Sequence, residues 1–389
     1  MSTPRPPEPG QLAEADAGLA ADGGTPPTAL ADLPPGAGGA AGRPGLGVDV
    51  VFVPATIAVL VVALSLSTDT FLTEGNITNV FTQMATLAIV SFGVTIVMIG
   101  GGFDLSVGSQ VAFHGSLAAI VMAATDSIWI GVLAGLGSGV AFGSVNGLLV
   151  AGLSINPFIV TLGTLVIGQG AALAITGSRP VTGLPDGLRE FGLGEPLGVP
   201  WMVWLMVGCF LVASFILHAT PFGLRVFALG GNREAARLAG LRVDRTTVAT
   251  YVICGVFAAI AGIALTARLR SGQPNVGGFL ELFAVAAVVL GGSSLFGGRG
   301  AMWRTLLGVA LIAVIQNGLN LLNVSEPYQD ITVGTVFILA ASTELARRVR
   351  LRRPVRRRER GPPSEGGPAE PPGMEASKAT KQAQERREE

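Results

Sequence analysis

Residues 100–109 read GGGFDLSVGS: three consecutive glycines, then a single carboxylate, Asp104, set between two long apolar runs that hold no other charge. Composition gives this stretch its frame. Of 389 residues 49% are hydrophobic, 13% are charged and 55 are glycine, and the mean hydropathy is +0.57. Such a chain is too apolar for a soluble domain. It reads as a membrane protein in which Asp104 sits at a junction of two membrane-crossing helices.

Working outward from that junction, runs of roughly 20 uncharged residues, enough to cross a bilayer as helix, fall at 51–67, 80–102, 107–125, 127–149, 157–177, 200–217 and 246–267. Three weaker runs follow. Residues 282–297 are interrupted by Gly291 and Gly292, 301–322 carry Arg304, and 328–345 carry Asp330 and Glu344. The fold class expected is all-α and polytopic, with about ten transmembrane helices, some of them broken at glycines.

Lys and Arg are retained on the cytoplasmic side of short loops. Residues 219–245 hold Arg225, Arg233, Arg237, Arg242 and Arg245, and the region after 346 opens RRVRLRRPVRRRER. Both are therefore expected in the cytoplasm. An even number of spans separates them, so the count and the charge rule agree; both termini are expected inside and 178–199 outside. Arg179, Arg189, Arg268 and Arg270 run against the bias.

The expected organisation is a disordered N-terminal tail at 1–47, a transmembrane domain at 48–346, and a basic, then disordered tail at 347–389. The first segment is rich in Pro, Gly and Ala and buries too little apolar surface to offset chain entropy. It is not a signal peptide, lacking a basic start and an early apolar run.

Several chemistries are excluded or unsupported. Cys209 and Cys254 fall inside expected spans, where thiols behave as small apolar groups, so neither a disulfide nor a metal site is expected. His114 and His218 are the only histidines, too few for a Cys/His ligand cluster. His114 is expected buried and hydrogen-bonded, with substrate contact as the alternative. A phosphate-binding P-loop needs a lysine after its glycines, and the lysines here are Lys378 and Lys381, in the tail. No catalytic residues, cofactor or nucleic-acid partner are expected.

At GGGFDLSVGS the glycines loosen the end of one helix. Asp104 or Ser106 then stands where an N-cap would start the next at about Val107, accepting bonds from its unpaired amides. The alternative makes Asp104 part of a substrate or ion site at a helix break. A second stretch, AAVVLGGSSLFGGRGAMWRTLLG at 286–308, repeats the order apolar helix, paired glycines, polar turn, new helix, which suggests duplicated halves.

The segment GGNREAARLAG, 230–240, reads as a short capped helix. Asn232 is the N-cap, Glu234 lies at the positive end, Arg237 toward the negative end, and Gly240 is the stop. Ala235, Ala236 and Ala239 leave a small-residue surface. A helix of about two turns does not hold itself together in water, so it docks either on a partner or on its own spans.

GGFDLSVGS, NPFIVTLGT (156–164), TPFGLRVFALGGNREAARLAGL (220–241), ELFAVAAVVLGGSSLFGGRG (281–300) and QNGLNLL (316–322), in this order and spacing, resemble the permease subunit of ribose/xylose-type sugar ABC importers across about residues 50–345. The resemblance implies a monosaccharide importer in the plasma membrane, the inner membrane of the cell. It implies three partners: a cytoplasmic ATP-binding subunit, an extracytoplasmic sugar-binding protein, and a second permease copy, identical or a close paralogue. It also implies that Asn232, Glu234, Ala235, Ala236, Arg237 and Gly240 contact the ATPase. Asp104, Ser106, His114 and Asn317 are the candidates for the substrate path or helix break. Two departures stand out. Trp303 and Arg304 replace small residues before the threonine of 301–308, and Asn156-Pro157 replaces a double proline while keeping the helix start signal. Arg304 is expected near the cytoplasmic surface, free to snorkel. The runner-up is an ion-coupled secondary transporter with Asp104 as its ion site.

Overall fold

The computed structural model describes residues 48–351. The tail expected at 1–47, and that expected after 346 from residue 352 onward, lie outside the described residues. Within them the regular structure is helical, apart from one isolated antiparallel bridge between Val181 and Gly272.

Seven helices are long and apolar enough to cross a membrane: α2 (Glu74–Ile99), α3 (Val107–Thr125), α4 (Ile128–Ala151), α5 (Pro157–Thr176), α7 (Trp201–His218), α10 (Val243–Leu269) and α12 (Met302–Leu321). Each matches one of the expected runs. The other three runs differ. The first becomes α1 (Val48–Ser67), whose apolar stretch Phe52–Ser67 is shorter. The run at 282–297 does not form one helix: α11 stops at Leu290 after 11 residues, about 16 Å of rise, against a hydrocarbon core of about 30 Å. The last run lies inside α13 (Glu326–Leu351), which continues five residues past 346. Short helices fill the connections: α6 (Leu188–Leu193), α8 (Pro221–Gly231) and α9 (Arg233–Leu238).

Burial follows from composition. From Met84 to Ile99, α2 is buried on every side, as expected of a helix that is apolar all round. Helices α4, α5 and α7, by contrast, leave Leu133, Leu148, Ile159, Ile167, Leu211 and Phe215 exposed, a lipid-facing distribution. At the centre stands α10, packed against α4, α3 and α2. The contact with α4 is made by glycines at four-residue spacing, Gly135, Gly139, Gly143 and Gly147, on a face that Gly131 extends toward α3. Small faces let membrane helices approach closely. A Cβ at Gly139 would lie 2.6 Å from the Gly255 carbonyl oxygen and 2.8 Å from the Ala259 Cβ. Gly139→Val should therefore cost about 1–3 kcal/mol by overpacking, seen as less folded permease by fluorescence-detected size exclusion; an unchanged yield would contradict this packing.

Candidate functional site

The two glycine-rich stretches stop their helices in the same way. At the end of α2, the Gly101 amide donates to the Met98 carbonyl (2.9 Å) and the Gly102 amide to the Val97 carbonyl (3.0 Å). At the end of α11, Gly292 donates to Val289 (2.8 Å) and Ser293 to Val288 (3.1 Å). Both are the paired bonds of a Schellman stop, which needs a left-handed residue; Gly101 has φ +82° and Gly292 φ +86°.

Beyond the first stop, Asp104 is completely buried. Its Oδ1 accepts from the Ser106 amide (3.0 Å) and from the Ser106 hydroxyl (2.5 Å), and its Oδ2 accepts a longer bond from Gln110 Nε2 (3.4 Å). Ser106 Oγ accepts in turn from Gln110 Nε2 (2.8 Å) and from Asn146 Nδ2 of α4 (2.9 Å). That hydroxyl uses its proton and both lone pairs. Helix α3 starts at Val107 as expected, and Ser106 holds the N-cap position, but neither side chain bonds the helix amides. The capping expectation is corrected: Asp104 folds back onto the cap residue itself, because Ser106 presents its amide and hydroxyl together within reach.

Tyr251 of α10 closes the other side, donating from Oη to the Phe103 carbonyl (2.9 Å). One turn up α3, buried His114 lies with Nδ1 2.7 Å from Ser138 Oγ. The Ser138 hydroxyl also bonds the Gly135 carbonyl (2.7 Å), and His114 Nε2 faces Gln110 Oε1 at 3.4 Å. His114 is thus buried and hydrogen-bonded, as its surroundings predict. Among the described residues Asp104 makes no ion pair, and no cluster of three His, Cys, Asp or Glu side chains is placed to hold a metal. The site offers one carboxylate ringed by neutral donors, which locks the break.

The first stop, the turn that follows the second, and the end of α8 meet. The Gly298 amide donates to the Ile99 carbonyl (2.8 Å). A Cβ on Gly297 would fall 2.9 Å from the Gly101 Cα and 3.0 Å from that of Gly230, and one on Gly298 would fall 2.9 Å from the Gly231 Cα. Backbone therefore packs on backbone where α8 runs into α9.

Helix α9 has both expected caps. Asn232 Oδ1 accepts from the Ala235 amide (3.0 Å). At the other end Gly240, φ +80°, and Leu241 donate to the Arg237 and Ala236 carbonyls. Glu234, Ala235 and Arg237 are exposed, and Leu238 is 81% exposed. Ala236 instead turns inward, packed in a small core with Leu229 and Val243. The small-residue surface expected to include it is corrected accordingly, because the helix is only six residues long and this one position faces α8 and α10.

Asn317 lies apart from Asp104. It exchanges two bonds with Asn76 of α2, at 3.1 and 2.8 Å, and so pins α12 to α2. Beside this pair opens a cavity of about 510 Å³ lined by Gln83, Gln316, Asn320, Asn323, Val324, Ser325 and Gln329. Arg304 is half-buried: its guanidinium stacks on Trp303, 5.3 Å from the ring centroid, and its Nε is buried without a partner. Gln110, Asn146 and Tyr251, which complete the Asp104 network, were not singled out by sequence; the signal for them was an isolated polar side chain inside an uncharged run.

Residues 76–341 match the family described as branched-chain amino acid transport system / permease component. The chain is 41% identical to the ribose import permease protein RbsC of Escherichia coli (strain K12) over 288 residues, covering 73% of this chain and 90% of that protein. It is 42% identical to RbsC of Bacillus subtilis (strain 168) over 285 residues, 72% and 88% of the two chains. With the L-arabinose transport system permease protein AraH of Escherichia coli (strain K12) it shares 39% over 284 residues, 73% and 86%. No solved structure matches. The fold and these matches define a polytopic membrane permease, a transport component and not an enzyme. The chain belongs to the transport-system permease family, and the sugar-importer resemblance of its sequence blocks holds.

Proposed function

We propose that this chain is the transmembrane subunit of an ATP-driven importer that moves a monosaccharide into the cytoplasm. The observation that carries the reading is α9: a doubly capped helix that buries one alanine and leaves Leu238 and Ala235 exposed, preceded by Gly230 and Gly231, whose backbone packs against Gly297 and Gly298. An isolated helix this short has no stability of its own, and its outward apolar residue fits a docking role. On this reading a cytoplasmic ATPase takes α9, a sugar-binding protein delivers on the opposite face, and a second permease copy completes the path. The relatives' names favour sugar over the branched-chain amino acids of the family description.

The reading includes ten crossings with both termini inside, the short α11 and its glycine turn forming an interrupted crossing with irregular backbone buried in protein. Cysteines introduced at exposed Gly187 and Ala239 are then labelled by an impermeant maleimide from opposite sides, Gly187 from outside. Labelling of both from one side would overturn the topology. The partner claim is tested by assembly: co-expressed with its cognate ATP-binding subunit, the full chain copurifies in mild detergent, and consistent failure to do so would overturn the proposal.

A further inference from the structure

We infer that the cavity between α2, α12 and the start of α13 is a binding station for an uncharged polyhydroxylated solute, held by the side-chain amides of Gln83, Gln316, Asn320 and Gln329. This rests on the importer reading and names where that importer holds its cargo.

The cavity's described lining is almost wholly polar and carries no charge. Each Asn or Gln amide offers two donors and a carbonyl acceptor, which matches sugar hydroxyls, themselves donors and acceptors. An amino acid zwitterion would instead need an opposing charge at each end. The volume, about 510 Å³, falls in the range of roughly 300–1,000 Å³ usual for small-molecule pockets.

The amides are also available. Gln83 donates to Asn79 (2.9 Å) and Gln329 to the Val324 carbonyl (2.8 Å), which leaves each side-chain oxygen free. The side chains of Gln316 and Asn320 make no hydrogen bond among the described residues, and Asn320 is exposed. Asn320 lies one residue from the end of α12, and Asn323 and Ser325 in the turn beyond it are exposed, so the cavity opens to solvent at that end of the helices. The Asn76–Asn317 bridge, about one turn from Asn320 along α12 and two turns from Gln83 along α2, ties the two helices together.

Two measurements test the station. In vesicles holding the complete importer, Gln316→Leu and Asn320→Leu, normalised to folded permease, should each lower uptake of whichever of D-ribose, L-arabinose or D-allose the wild type carries, by about tenfold. Wild-type uptake in both variants would overturn the station while leaving the importer reading intact. Binding is read separately on the purified full chain carrying Asn320→Cys, since the native Cys209 and Cys254 are buried. At least one of the three sugars should slow maleimide labelling, and leucine should not. Absence of protection by every sugar, or protection by leucine, would overturn the station whether or not the vesicles transport.

Discussion

Leu238→Asp is expected to abolish ATP-dependent uptake while leaving the permease folded and inserted. The side chain is 81% exposed at the end of α9, so the substitution removes no internal packing, yet it places a charge on the surface offered to the ATPase. Loss of an interface hot spot costs about 2 kcal/mol or more, a roughly thirty-fold loss of affinity. Glu234→Arg should act in the same direction by putting a cation at the positive end of the helix. Ala236→Trp is the wrong probe, because Ala236 lies in the chain's own core and its enlargement would unfold the segment. Normal substrate-stimulated ATPase in both surface variants, at wild-type abundance, would remove α9 from the coupling path.

The second large effect concerns Asp104. Asp104→Ala strips the acceptor from the Ser106 amide and hydroxyl, both buried, and each orphaned donor costs about 1–3 kcal/mol. Folded permease and uptake should fall together. Asp104→Asn keeps an oxygen for both Ser106 donors, and the Gln110 contact it alters is long, 3.4 Å. Abundance and most uptake should survive. A charge-dependent role predicts another pattern, with Asn as damaging to uptake as Ala at normal abundance, and that result would turn Asp104 into an ion or substrate ligand.

Much of this was legible in the chain because hydrophobic run length and glycine pairs are local signals. The stops at Gly101 and Gly292, the start at Val107 and the caps of α9 all depend on residues within a few positions of one another. Long-range pairing was not legible. That Asp104 bonds Ser106 rather than capping α3 depends on Gln110 and Asn146 competing for the same hydroxyl. That Asn317 meets Asn76 depends on the register of α12 on α2. The run at 282–297, read as interrupted by Gly291 and Gly292, does end its helix at Leu290, but the packing of the turn beyond it was not legible. Nor was the stacking of Arg304 on the ring of its neighbour Trp303.

The central claim is that this membrane chain imports sugar by ATP hydrolysis carried out on another subunit. Its most direct test is uptake of labelled D-ribose, L-arabinose and D-allose into proteoliposomes containing the permease, its ATPase and the binding protein. Accumulation of one of these sugars that requires both ATP and the binding protein, and ignores imposed proton or sodium gradients, is the predicted result; accumulation driven by an ion gradient without ATP would contradict it.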